Sequence, residues 1–231
     1  MSEQEQPQQQ PAAMKLPDYI SIERRRVKWA RVQVHPDGEV KIITPQRFSM
    51  RRLTQLYHEK QHWIEAKRAH FLSDPAELFG IDPREILLFG RGYRAEIASD
   101  DAAAIDHQQR LIISNYDLQD TEQQLAWYIN QAKAYLPNRT QQLANQWGFV
   151  YNRVSIRAQK TRWGSCSSLG NISLNWKLIK TPVSVSDYII AHELAHIRVM
   201  NHSPLFWDQV EQLLPEYNKA RLWIRKHGVF L

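Results

Sequence analysis

Apolar and polar positions alternate along the chain from Tyr19. Val32 and Val34 are flanked by polar residues, His35-Pro36-Asp37-Gly38 supplies a turn, and Val40 and Ile42 resume the alternation. This pattern predicts a β-hairpin. The period then lengthens: Leu53, Leu56, Tyr57, Ile64 and Phe71 recur at helical spacing and predict a helix over 49–72. Residues 86–97 and 110–114 read as strands, about 120–136 and 139–147 as two helices, and 153–158 and 171–176 as short strands with Gly164 and Gly170 in turns around them. The remaining residues to the C-terminus read as helical, and no internal repeat is visible. This succession predicts an α+β protein. The change from strand to helix pattern near 115–120 divides the chain into a tail (1–16), a β-rich basic region with one helix (17–118) and a second domain (119–231).

Composition refines this picture. The chain of 231 residues is 43% hydrophobic and 23% charged, an ordinary globular balance with enough length for a sizeable core. Residues 1–16, rich in Gln and Pro, have little to bury and are expected to be disordered. The single Cys excludes an internal disulfide framework and any multi-Cys zinc site. No apolar run approaches a membrane span, and no apolar stretch follows a basic start, so a cytoplasmic protein without membrane association is expected. The net charge is +6, and residues 21–52 carry much of the basic excess, interleaved with Trp29 and Phe48. Such a stretch permits contact with nucleic acid or another anion.

The chemistry is concentrated in His192-Glu193-Leu194-Ala195-His196. On a helix the two histidines, four residues apart, share a face and suit one zinc ion, and Glu193 is placed to act as a base toward water that the metal activates. The pattern is short, and the chain holds a second copy, His58-Glu59-Lys60-Gln61-His62. There the helix turns its apolar residues to the opposite side, so His58 and His62 are expected on a solvated face. The 192–196 copy is surrounded by Tyr188, Ile189, Ile190, Ala191, Leu194, Ala195 and Ile197. A helix apolar all round is buried, and two imidazoles and a carboxyl inside it need a partner; a metal would supply one.

Catalytic zinc usually takes a third protein ligand. His202 is the candidate, provided that the helix ends before it. Asn201 suits the left-handed conformation that closes a helix, and Ser203-Pro204 reads as the cap and first position of the next one. Glu211 and Glu216 are the alternatives. The spacing also matches that of metzincins, but Val199 stands where they carry Gly and no Met follows Met200, which excludes their Met-turn.

The blocks Thr161-Arg162-Trp163-Gly164-Ser165-Cys166-Ser167, Asn171-Ile172-Ser173-Leu174-Asn175, Asp187 to His196, Asn201-His202-Ser203 and Phe206-Trp207, in this order, resemble the YgjP-like metallopeptidase family, itself related to the SprT-type minimal zincins. The resemblance implies a zincin-like core over 119–231, with a small antiparallel sheet and an active-site helix. It implies Zn2+ held by His192, His196 and His202, and Glu193 as the base. It further implies an edge strand that binds extended substrate, a role 171–176 would fill. The resulting expectation is a zinc-dependent hydrolase, most readily a peptidase acting on a peptide or protein. Arg162, Tyr217 and Arg157 are candidates for the oxyanion donor. Two other expectations remain: a metal-dependent nucleotide or phosphoanhydride hydrolase, and a nucleic-acid-associated protein with a protease site acting at DNA.

Overall fold

The computed structural model describes residues 16–98 and 103–231. The expected 1–16 tail therefore lies, apart from Leu16, outside the described residues. The chain divides into two compact units, 1–73 and 74–231.

In the first unit, β1 (Ile20–Arg25), β2 (Arg31–Val34) and β3 (Val40–Pro45) form a sheet of order β1-β3-β2. The predicted hairpin is β2–β3, in register Val34↔Val40 to Arg31↔Ile43. Gly38 closes its turn at φ 82, a conformation a side chain would strain. Helix α1 (Met50–Phe71) starts where the spacing predicts, with the Ser49 hydroxyl accepting from the Arg52 N–H. Its Tyr57 and Ile64 pack with Val40 and Ile42 in a small core. His58 and His62 are exposed on the other side of the helix, as the periodicity requires.

The second unit is built around one long helix. After the short α2 (Pro75–Phe79), strands β4 (Ile86–Leu88), β5 (Arg91–Ile97), β6 (Ala104–Asp106) and β7 (Leu111–Ser114) form a sheet of order β4-β5-β7-β6. Helix α3 (Thr121–Trp147) follows, capped by the Asp120 carboxylate and ended by Gly148. The two helices expected here are one, and it runs through Pro137. Proline removes a backbone donor and crowds the preceding turn. Nearby side chains add bonds to other carbonyls of this stretch: Asn138 donates to that of Ala134 at 2.8 Å, and Thr140 to that of Leu136 at 2.8 Å. The larger cause is burial. Tyr128, Ala132, Leu136, Thr140 and Ala144 form a single buried stripe that spans the proline, and breaking the helix would break the stripe.

Strands β8 (Arg153–Arg157), β9 (Gly164–Cys166) and β10 (Asn171–Asn175) form a sheet of order β8-β10-β9. The expected antiparallel pairing holds for β9–β10, whereas β8 runs parallel to β10. Residues 164–166, expected as a turn, are thus an edge strand. Residues 171–175 are central, so β10 has no free edge for a substrate; the edges of this sheet are β8 and β9, and β9 is the one packed on α4. A 3-10 turn (Trp176–Lys180) leads into α4 (Val183–Ala195), followed by α5 (Pro204–Leu213) and α6 (Tyr217–His227). Leu136, Ile172, Leu174, Ile190, Leu194 and Phe206 share the core of this unit with Ile86, Leu88 and Ile112. Among the described residues no helix is long and apolar enough to cross a membrane.

Because the stripe on α3 is continuous, Pro137→Ala should restore a backbone donor without altering the packing. We expect it to raise stability by about 1–3 kcal/mol, read as a higher urea midpoint. An unchanged or lower midpoint would show that the proline fits this helix without cost.

Candidate metal centre

Helix α4 is nearly uniformly buried, Ile190, Ala191, Leu194 and Ala195 being wholly inaccessible. It packs against α3, α5, α6 and β9. Arg139 of α3 fixes it through two bonds to the Asp187 carboxylate, at 2.8 and 2.7 Å. A paired fork of this kind sets orientation as well as energy. Three polar side chains are carried in this setting: half-buried His192, and Glu193 and His196, both buried.

The helix ends early. After Ala195 the N–H groups of Ile197 and Arg198 bond to carbonyls three residues back, at 3.0 and 3.1 Å, and the chain turns. Asn201 does not adopt the left-handed conformation expected of it: among the described residues only Phe89 and Arg110, apart from glycines, have positive φ. Its side-chain oxygen instead accepts from the Ser203 N–H at 3.3 Å, which makes a local Asx turn. Ser203 and Pro204 open α5 as expected, although the Ser203 side chain makes no capping bond. The tight turn brings His202 back beside α4.

The outcome is a convergence of imidazoles. One ring nitrogen each of His192, His196 and His202 lies within 4.8 Å of the others. The Nε2 atoms of His202 and His192 are 3.0 Å apart. His196 Nδ1 is 3.1 Å from the Val199 carbonyl; donation there leaves the Nε2 lone pair free. Burial pushes His192 down to about 3, with His196, His202 and Arg221 adding to it, and burial likewise lowers His196. Neutral imidazoles are the form that binds metals. Three such nitrogens turned to one point share at most one or two hydrogen bonds, whereas a divalent cation would take all three lone pairs. Two nitrogens bound tetrahedrally to one zinc stand roughly 3.3 Å apart, close to the 3.0 Å observed. The residues fit a metal.

Aromatic rings hold the histidines. Phe206 stacks on His196 at 4.5 Å and Trp207 on His202 at 5.8 Å. Behind Trp207, Tyr217 stacks at 5.7 Å, and the Arg221 guanidinium lies 4.6 Å from the Trp207 ring centre. Phe206 and Trp207 stood in the sequence blocks; the support from Tyr217 and Arg221 depends on how α5 and α6 pack, which no spacing reveals.

Glu193 faces β9. A Cβ on Gly164 would stand 2.5 Å from its Oε1, so the strand approaches this closely only because residue 164 has no side chain. Burial raises the Glu193 carboxyl to about 8, against a smaller opposing effect of Arg162. Cys166 on the same strand is pushed up to about 11 by burial and by Glu193, so it remains a thiol. Of the other candidates, Arg157 and Arg162 are exposed, Tyr217 is engaged in stacking, Glu211 is exposed and Glu216 pairs with Lys219. Among the described residues the only metal-compatible cluster is the three histidines, and neither His58 nor His62 belongs to one. A separate cavity of about 580 Å³ lies near the first turn of α4, against Phe89, Tyr135 and Pro182.

The family model for the YgjP-like metallopeptidase domain matches residues 28–227. No curated protein matches the chain. Among solved structures, the chain is similar to the metallopeptidase zymogen jannalysin of Methanocaldococcus jannaschii, with 19% identity, 39% of this chain and 94% of that one covered, and a TM-score of 0.36.

The raised Glu193 carboxyl has a consequence for the metal-free chain. Its folded value, about 8, lies above the ordinary 4.5. The uncharged form is therefore favoured by folding, and the associated stability is complete below about pH 4.5 and lost as pH rises through about 8. Glu193→Gln, neutral at every pH, should be more stable than the parent above pH 8, by on the order of 3 kcal/mol, with the difference vanishing below pH 5. Urea unfolding of both metal-free chains at pH 5 and pH 8.5 measures it. A difference independent of pH would mean that the carboxyl is not held neutral.

Proposed function

The chain belongs to the YgjP-like metallopeptidase family, and from that premise we propose that it is a zinc-dependent peptidase in which His192, His196 and His202 hold the metal and Glu193 is the general base. The observation that carries this reading is the convergence of the three imidazoles beside a buried carboxyl on one helix. Three neutral nitrogen donors suit zinc. Zinc, when bound, makes a water more acidic and polarises a carbonyl.

The remaining work belongs to the protein. Glu193 accepts the proton of the attacking water and returns it to the leaving amine. Burial alone keeps its carboxyl protonated, while a neighbouring dication favours the carboxylate, so the two opposed influences bring the group toward neutral pH. Gly164 allows β9 to lie against this carboxyl and fix its direction. The free edge of β9 is then the place for an extended peptide. His196, oriented through Val199, and His202, stacked on Trp207, keep their rings in place while substrate enters.

A second reading concerns the first unit. Trp29 is 71% exposed in the β1–β2 connection, with Lys28 Nζ 5.5 Å from its ring, and Arg26 and Arg31 are exposed beside it. An exposed indole among cations suits a single-stranded nucleic acid. Retention on single-stranded DNA that is insensitive to salt, or unchanged in Trp29→Ala, would refute this reading.

Metal analysis tests the principal proposal. The purified chain should hold about one zinc. His192→Ala, His196→Ala and His202→Ala should each lose it, while His58→Ala and His62→Ala keep it. Glu193→Gln should retain zinc and lose peptide hydrolysis by at least about a hundredfold. Assaying unstructured peptides beside nucleoside triphosphates separates peptidase from phosphoanhydride chemistry. Full activity of zinc-loaded Glu193→Gln would remove Glu193 as the base.

A further inference from the structure

Next to β9 the second unit has a small cavity of about 210 Å³, walled by residues 159–163, Lys177 and the end of α6 at Gly228. One buried residue organises it. Asn175, 3% exposed, donates through Nδ2 to the carbonyls of Gln159 and Arg162, at 2.8 and 2.9 Å. Its Oδ1 accepts from the Lys177 N–H at 3.1 Å, and its own N–H bonds to the Trp163 carbonyl at 2.9 Å. The loop is thus fixed in advance by hydrogen bonds that no ligand has to supply.

Lys160, Arg162 and Lys177 all line this cavity, and among the described residues none has a carboxylate within ion-pair distance. Lys160 and Arg162 are exposed and Lys177 half-buried, so an anion that enters this cavity meets cations with no carboxylate paired to them. A second group lacks a partner: the side-chain oxygen of Gln159 is buried without a hydrogen bond. It is an acceptor, so its complement is an N–H or O–H. A peptide residue with a carboxylate offers both an anion and an N–H. The location suits a substrate. Arg162 stands two residues before Gly164, where the strand meets Glu193, so at about 3.3 Å per extended residue a peptide along β9 reaches the cavity within a few residues of the reacting bond.

We propose that this cavity receives a carboxylate of the peptide substrate, from an acidic side chain or the chain terminus, and gives the enzyme a preference for anionic peptides. The proposal rests on the peptidase reading above.

Binding without turnover tests it. The zinc-loaded Glu193→Gln chain is titrated calorimetrically at low salt with four probes: an end-blocked heptapeptide bearing one Glu, its Gln analogue, the Gln analogue with a free terminal carboxylate, and inorganic phosphate. At least one carboxylate peptide should bind about tenfold more tightly than the blocked Gln analogue. Lys160→Ala/Lys177→Ala should abolish that preference at unchanged zinc content, and Lys160→Arg/Lys177→Arg should keep it. Equal affinities for acid and amide, or a preference that survives the double alanine variant, would overturn the proposal. Phosphate binding more tightly than every peptide would overturn it in favour of a phosphate site. A failure of the peptidase reading appears separately, as wild-type enzyme that cleaves none of these peptides.

Discussion

The site depends on one constraint: a carboxyl and two imidazoles are carried at the end of a helix that is buried on nearly every side. Removing such groups from water costs several kcal/mol each unless something replaces the lost hydration. The replacements differ by residue. His196 has the Val199 carbonyl, Asp187 at the start of the same helix has the Arg139 fork, and Glu193 is held uncharged by its surroundings. The ring nitrogens of His192, His196 and His202 converge, an arrangement compatible with a metal ion. The placement of the histidines and of Glu193 thus derives from the same packing that buries α4 in the second unit.

That packing also explains the neighbouring elements. The chain has to leave the helix quickly to return His202, and it does so by tightening the last turn and by the Asx bond from Asn201. Trp207 and Phe206 then lie against the rings that the turn delivers. On the other face, a glycine lets β9 approach the carboxyl closely, with Cys166 two residues on as a protonated thiol. The small cavity lined by Lys160, Arg162 and Lys177 lies just before that strand in the chain.

Much of this was legible in the chain. The 49–72 helix, the hairpin at 35–38 and the divergent fates of the two HExxH copies follow from which side of a helix or strand is apolar, because burial follows periodicity directly. The histidine spacing singled out the buried helix α4, and Ser203-Pro204 marked the restart of the chain. What periodicity cannot register is whether a local cost is outweighed. Pro137 interrupts α3 by propensity, yet the buried stripe on both sides of it keeps the helix whole. Asn201 has the propensity for a left-handed closing residue, yet its side chain makes an Asx turn instead. Gly164 looks like a turn, yet it is an edge strand because Leu174 pairs with it from across the sheet.

The sequence by itself therefore determined the α+β class and singled out the buried helix and the three histidines that converge in the structure. Those are properties of residue type and spacing within a few turns of chain. Only the tertiary structure decided which strand has a free edge, how His202 returns, which rings support it, and that Lys160, Arg162 and Lys177 surround one cavity. Each of these depends on contacts between segments far apart in sequence, where side-chain fit and desolvation outweigh local preference, and no local pattern encodes them.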